Sequence, residues 1–270
     1  MKLMSIFGTR PEIIRLSKIF PLLDSNFDHV MVNTYQNYTT ELNKIFFKEL
    51  GIRSPDYNLG VATKNYGDEI SDVIKKSEKV LLKEKPDMIL ILGDTNSGLA
   101  AIPASHHGIK IAHLEAGMRS YDYRMPEEKN RIIIDHLSSI LLPYTQYSRE
   151  NLIRENIHPS KIFVVGNPII EVINSHIKKI DSSKILDKLK IKPNEYFLVT
   201  AHRSENVDDP DSLKQILESL RKIHSKFGKK IIYPIHPRTL SKLNGKKLPK
   251  GITTINPLGF IDFCKLEKNA

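Results

Sequence analysis

The sequence predicts an α/β protein made of two Rossmann-like doubly wound domains, residues 1–168 and 169–270, the second of them incomplete. Short apolar runs alternate with longer segments of helical periodicity, as parallel strands joined by right-handed crossovers require. The length of 270 residues suits two domains of ordinary size. Beyond residue 190 only three strand patterns follow, half of a doubly wound sheet, and half a sheet leaves an uncovered edge.

The elements run in order. Leu3–Phe7 reads as a strand, followed by a helix that opens at Pro11, where a fixed φ suits a first turn. His29–Asn33 is a second strand and Asp68–Lys83 a long helix. Met88–Leu92 ends in Gly93-Asp94-Thr95, and Lys110–Leu114 ends in Glu115-Ala116-Gly117. A helix from Pro126 to about Ser138 leads into Ile140–Leu142. A helix over Tyr147–Asn156 then feeds a sixth strand at Ile162–Val165. Pro168–Leu189 has helical periodicity and bridges to the second unit. That unit has strands Tyr196–Thr200, Lys230–Ile235 and Thr253–Ile255, with a helix over Asp211–Lys226.

Composition excludes several classes. With 40% hydrophobic and 27% charged residues the chain is neither disordered nor fibrous. Its 41 basic and 31 acidic residues leave a formal charge of +10. That excess is local: ten basic residues and no acidic one lie between Arg221 and Lys250. The stretch has only Phe227 and Tyr233 as stacking candidates, so a solvated or partner-facing patch is expected and no nucleic-acid partner. Cys264 is the single cysteine and has no partner for an internal disulfide, which suits a reducing cytoplasm. The Leu3–Phe7 run is too short for a signal segment, and no stretch approaches the ~18 apolar residues of a membrane span.

Open parallel sheets bind ligands beyond the carboxyl ends of their strands, where strand order reverses. That rule selects Thr9 and Arg10, Asp94 and Thr95, and Glu115 and Gly117 in the first domain, with His202, Arg203 and His236 in the second. Arg10 follows the Gly8 turn and could grip a phosphate, or could be an ordinary surface arginine. The turn is neither GxGxxG nor a P-loop, so neither NAD nor ATP is indicated. Asp94 sits after an apolar run, either as a cleft carboxylate or as an Asx-type turn cap. Glu115 ends a strand, either in the cleft or in a buried ion pair with Arg119 or His113. Glu127 and Glu128 are helix neighbours that cannot both face one cleft, so at most one is functional. No HExxH or Cys/His spacing is present, and no metal is expected.

Five motifs stand together: Phe7-Gly8-Thr9-Arg10-Pro11-Glu12, Gly93-Asp94-Thr95, His113-Leu114-Glu115-Ala116-Gly117-Met118-Arg119, Pro126-Glu127-Glu128-Lys129-Asn130-Arg131 and Thr200-Ala201-His202-Arg203. In type and order they resemble the non-hydrolysing UDP-N-acetylglucosamine 2-epimerases, which share the two-domain GT-B fold. The resemblance implies a cytoplasmic isomerase of surface-polysaccharide biosynthesis that interconverts UDP-GlcNAc and UDP-ManNAc, or a related modified UDP-hexosamine, without a cofactor. It implies Asp94, Glu115 and Glu127 as catalytic carboxylates. Arg10 and His202 match nucleotide-phosphate contacts, and His236 a cleft histidine. Arg15 stands where the family commonly has lysine, and with Arg10 and His202 would stabilise the departing diphosphate. A homodimer is the expected assembly.

Three departures qualify the resemblance. Family members continue past residue 270 to a Gly- and Glu-containing nucleotide motif. The segment between Glu115 and Glu127 is short, as in branches that act on acetamido-dideoxy hexoses or diacetamido uronic acids. Gln36-Asn37 replaces the Gln-His of the family's allosteric site, so that regulation is not expected. An inactive truncated remnant and a GT-B glycosyltransferase are the alternatives, since a fold alone does not fix an activity.

Overall fold

The computed structural model describes residues 1–34, 46–61, 65–201, 209–235, 239–240 and 248–270. Two compact units divide the chain, Met1–Asn174 and Ser175–Ala270.

The first unit is a six-stranded parallel sheet. Its strands are β1 (Lys2–Phe7), β2 (Asp28–Asn33), β3 (Tyr57–Asn58), β4 (Met88–Leu92), β5 (Lys110–Leu114) and β6 (Ile140–Leu142), in the order 3-2-1-4-5-6. Strand order therefore reverses between β1 and β4, which pair from Leu3↔Met88 to Ile6↔Ile91. The first helices are α1 (Arg10–Leu16), α2 (Ile19–Asn26) and α3 (Tyr66–Glu84). They are followed by α4 (Ala101–His106), α5 (Pro126–Leu137) and α6 (Gln146–Arg154).

The central strands are mostly apolar on both faces, as strands covered from both sides are, with Ser5 and His113 the buried polar exceptions on β1 and β5. Met4, Ile6, Val30, Val32, Ile89, Ile91 and Ile111 point to one side and pack with Val80 and Leu81 of α3, Ala101 and Ala104 of α4 and Ile134 of α5. On the other face Leu3, Leu90, Ala112 and Leu114 line an open groove of about 740 Å³ beside Ile19 and Leu23 of α2. Polar side chains set the helix starts. Asn65 accepts from the Asp68 amide at 3.0 Å ahead of α3, and Thr145 accepts from the Ser148 amide at 3.1 Å ahead of α6.

The sixth strand differs from the sequence expectation. Ile162–Val165 is not a strand: Ile162 makes one isolated parallel bridge to Leu141, and Phe163 and Val165 are exposed. The sheet instead gains β3, two residues long, on the far side of β2. So short an element has no periodicity to read, and its pairing is carried by backbone groups, with the Leu59 amide donating to the Asn33 carbonyl at 2.9 Å.

The second unit contains a three-stranded parallel sheet of β7 (Tyr196–Leu198), β8 (Lys230–Pro234) and β9 (Ile252–Ile255), in that order. The segment read as one helical stretch is two helices, α7 (Ile169–Ser182), which spans the boundary between the units, and α8 (Ile185–Leu189). Helices α9 (Pro210–Phe227) and α10 (Phe260–Lys268) belong to the same unit. Ile185 and Leu186 of α8 and Leu266 of α10 pack on Tyr196 and Ile232, while Leu213 of α9 packs with Tyr233 and Ile235. Tyr233 is thus a core residue, closing one of the two stacking candidates of the basic stretch.

Candidate active site

Four sequence-selected residues of the first unit lie beyond the carboxyl ends of β1, β4 and β5, at the reversal of strand order: Arg10, Arg15, Asp94 and Glu115. The β1 turn is held by a residue that strand-end ranking passes over. Glu12 is fully buried and accepts from the amides of Gly8 at 3.1 Å and Thr9 at 2.6 Å. Its second oxygen accepts from the Thr95 hydroxyl at 3.0 Å, which ties the β1 turn to the β4 turn. Burial pushes the Glu12 carboxyl up, against the pull of these donors. The Thr9-x-x-Glu12 spacing of a capping box is the signal in the sequence. Arg10, half-buried, lies over the Phe46 ring at 5.9 Å, and burial lowers the pKa of its guanidinium. Among the described residues no carboxylate pairs with it.

Asp94 is no simple turn cap. Its carboxylate pairs with Arg131 of α5, and its backbone carbonyl accepts from the Asn130 side chain at 3.0 Å. Arg131 also reaches Glu128 at 3.0 Å, and its Nε is buried with no partner among the described residues. Glu115 pairs with neither Arg119 nor His113. Its partner is Arg15, which reaches it from α1. Glu115 has φ +75°, a left-handed backbone that a non-glycine residue rarely adopts. One carboxylate oxygen comes close to Gly93, such that a Cβ built on that glycine would lie 3.5 Å from it. Burial pushes the nearby Tyr144 hydroxyl up to about 12, with Arg15 opposing the shift.

The two glutamates of α5 have different environments. Glu128 is buried and accepts from the Ser120 amide, the Ser120 hydroxyl and the Tyr121 amide, each at 2.9 Å. Burial opposes its ionisation, but these donors and Arg131 hold its carboxyl below the usual range. It is committed to holding the loop after β5. Glu127 is half-buried and free of that network. It approaches Tyr66, whose hydroxyl is pushed up by burial and further by the charges of Glu127 and Glu69.

His202 and His236 lie outside the described residues, as do Arg203 and Gln36-Asn37. Among the described residues no group of three or more His, Cys, Asp or Glu side chains is arranged to hold a metal ion. No described helix is long and apolar enough to cross a membrane.

A family model described as UDP-N-acetylglucosamine 2-epimerase matches residues 23–270. The UDP-N-acetylglucosamine 2-epimerase of Methanocaldococcus jannaschii is 43% identical over 281 residues, covering 100% of this chain and 77% of the relative. A UDP-2,3-diacetamido-2,3-dideoxy-D-glucuronate 2-epimerase of Pseudomonas aeruginosa is 35% identical, covering 98% of this chain and 75% of the relative. The crystal structure of the Methanocaldococcus jannaschii enzyme in complex with UDP-GlcNAc and UDP matches with a TM-score of 0.93 at 42% identity, over 100% of this chain and 77% of that one. The GT-B-like α/β fold anticipated from the motifs holds.

Proposed function

The chain belongs to the UDP-N-acetylglucosamine 2-epimerase family, an isomerase family, and from that premise we propose that it interconverts UDP-GlcNAc and UDP-ManNAc. The observation that carries this reading is the pair of arginine–carboxylate contacts, Arg15–Glu115 and Arg131–Asp94, at the strand-order reversal.

The chemistry explains the residue types. C2 of the sugar carries a hydrogen with no adjacent carbonyl to acidify it. One carboxylate takes the C2 proton, and a C1=C2 double bond forms. The C1–O bond breaks with its electron pair leaving on the diphosphate oxygen, giving 2-acetamidoglucal and UDP. Re-addition of UDP to C1 with protonation of C2 from the opposite face gives the epimer. Two carboxylates on different elements supply the base and the acid, each worth roughly 10²–10⁴ in rate. Asp94, Glu115 and Glu127 are the three carboxylates proposed for the site, two of them acting as base and acid. Arg10 and Arg15 stabilise the diphosphate charge as it develops, as preorganised cations do. His202 and His236 are proposed as further substrate contacts from their motif positions alone.

A second reading has a specific support: a diacetamido sugar nucleotide, suggested by the Pseudomonas aeruginosa relative and by the short Glu115–Glu127 segment. A homodimer and a cytoplasmic location are proposed with the activity, the first testable by light scattering. The deciding experiment is NMR of the chain with each UDP-sugar in D₂O. Deuterium at C2 together with the epimer signal supports the reading for that sugar. Sugar transfer to an acceptor without C2 exchange indicates a glycosyltransferase, and no exchange with either sugar overturns the proposal. Asp94→Asn and Glu115→Gln variants with full turnover would remove those residues from the mechanism.

A further inference from the structure

His113 is the penultimate residue before Glu115, and its side chain is wholly buried between β5 and α5. Its Nε2 lies 2.8 Å from the carbonyl oxygen of Gly93, which can only accept, so Nε2 carries a proton. Its Nδ1 lies 2.7 Å from Asp135 Oδ1. Burial raises the cost of charge on Asp135, but the His113 and Arg119 contacts outweigh it and hold the carboxyl below its ordinary range. Nδ1 therefore also faces an acceptor. A singly protonated ring would leave one of two buried acceptors facing a lone pair, an arrangement a dry interior penalises.

The far side of Asp135 is equally committed. Its Oδ2 accepts from the Gly117 amide at 3.1 Å and from Arg119 at 2.8 Å, and Arg119 in turn grips Glu155. Glu155 is shared with His136 at 3.4 Å. Two anchors follow. The Gly93 carbonyl, one residue before Asp94, hangs on His113. The Gly117 amide, two residues after Glu115, hangs on Asp135. The Gly93 amide also donates to the Leu114 carbonyl at 2.9 Å, so both ends of that glycine are tied to β5. Between the anchors sits Glu115 in its left-handed conformation, which persists only where the surroundings over-determine it.

We propose that His113, donating from both ring nitrogens, is a positioning residue that with Asp135 locks the Asp94 and Glu115 turns at one separation for the reaction. The inference rests on the proposed function for its catalytic consequence, but its structural half can be read without turnover. In the 270-residue chain labelled with ¹⁵N-histidine, long-range ¹H–¹⁵N spectra at pH 7 should put both His113 ring nitrogens in the protonated range. A signal from an unprotonated ring nitrogen overturns the proposal, whether or not the chain is active.

The kinetic half uses His113→Gln, which keeps one donor, and Asp135→Asn, which keeps the shape but not the charge. Both should lower kcat for C2 exchange at least tenfold with KM within twofold of the parent. Amide exchange at Gly117 should rise at least tenfold. A variant that is destabilised in urea yet keeps the parent kcat when folded overturns the positioning role. If neither variant folds, the ring-nitrogen signal in the parent decides alone. A parent with no C2 exchange but with both nitrogens protonated refutes the proposed function and leaves the lock standing.

Discussion

Arg15 of α1 reaches across the end of the sheet to form an ion pair with Glu115, the residue that follows β5. Both side chains are mostly shielded from water, so the pair fixes where the carboxylate points as well as its charge. Arg15→Ala should lower turnover by about 10²–10³, the usual cost of removing one preorganised charge stabiliser. Arg15→Lys keeps the charge and loses the planar fork, and should lose less than the alanine variant. Steady-state kinetics with UDP-GlcNAc separates the two.

Glu12 predicts a pH dependence of stability. Its folded pKa is raised chiefly by burial, so its contribution is fully present below the unfolded value and is lost as pH rises through the folded value. Glu12→Gln still accepts from Gly8 and Thr9 while its amide can donate to Thr95. It should flatten that dependence in urea melts run from acid to neutral pH. Glu12→Ala leaves the two amides unsatisfied at a cost of about 1–3 kcal/mol each.

Gly117 has φ +74°, and a Cβ there would collide with the Ser148 carbonyl. Gly117→Ala should cost about 3 kcal/mol or more, strain and overpacking together. Denaturation midpoints measure this directly. A substitution at Gly166, whose added Cβ would meet nothing within 4 Å, should lose only the backbone part.

Glu128 and Glu127 should respond oppositely to the same change. Glu128→Gln should expose the Ser120 and Tyr121 amides to faster hydrogen exchange and cost about 1 kcal/mol. Glu127→Gln should leave both the exchange pattern and stability near the parent while abolishing most turnover. Equal effects from the two variants would contradict the division of labour between them.

Much of this protein is legible along the chain. The β1, β4, β5 and β6 strands stand within a residue of the apolar runs that predict them, because strands covered on both faces are mostly apolar along their length. Asp94 and Glu115 are legible for the converse reason: a charge directly after such a run must be paired or face a cleft. Local sequence also holds the Thr9–Glu12 capping box and the Pro126 helix start. Partners are another matter. Glu115 could be assigned to Arg119 or His113 by proximity in sequence, yet the fold sends those two to Asp135 and brings Arg15 from α1. Only tertiary structure decides such pairings, since a buried charge takes whichever opposite charge the packed elements carry to it. Strand β3 and the loss of Ile162–Val165 from the sheet belong to the same class, set by which backbone groups come alongside an existing strand. Residue order along the chain puts these charges at the strand ends, and the packing of distant elements selects which of them hold the turns and which are left for chemistry.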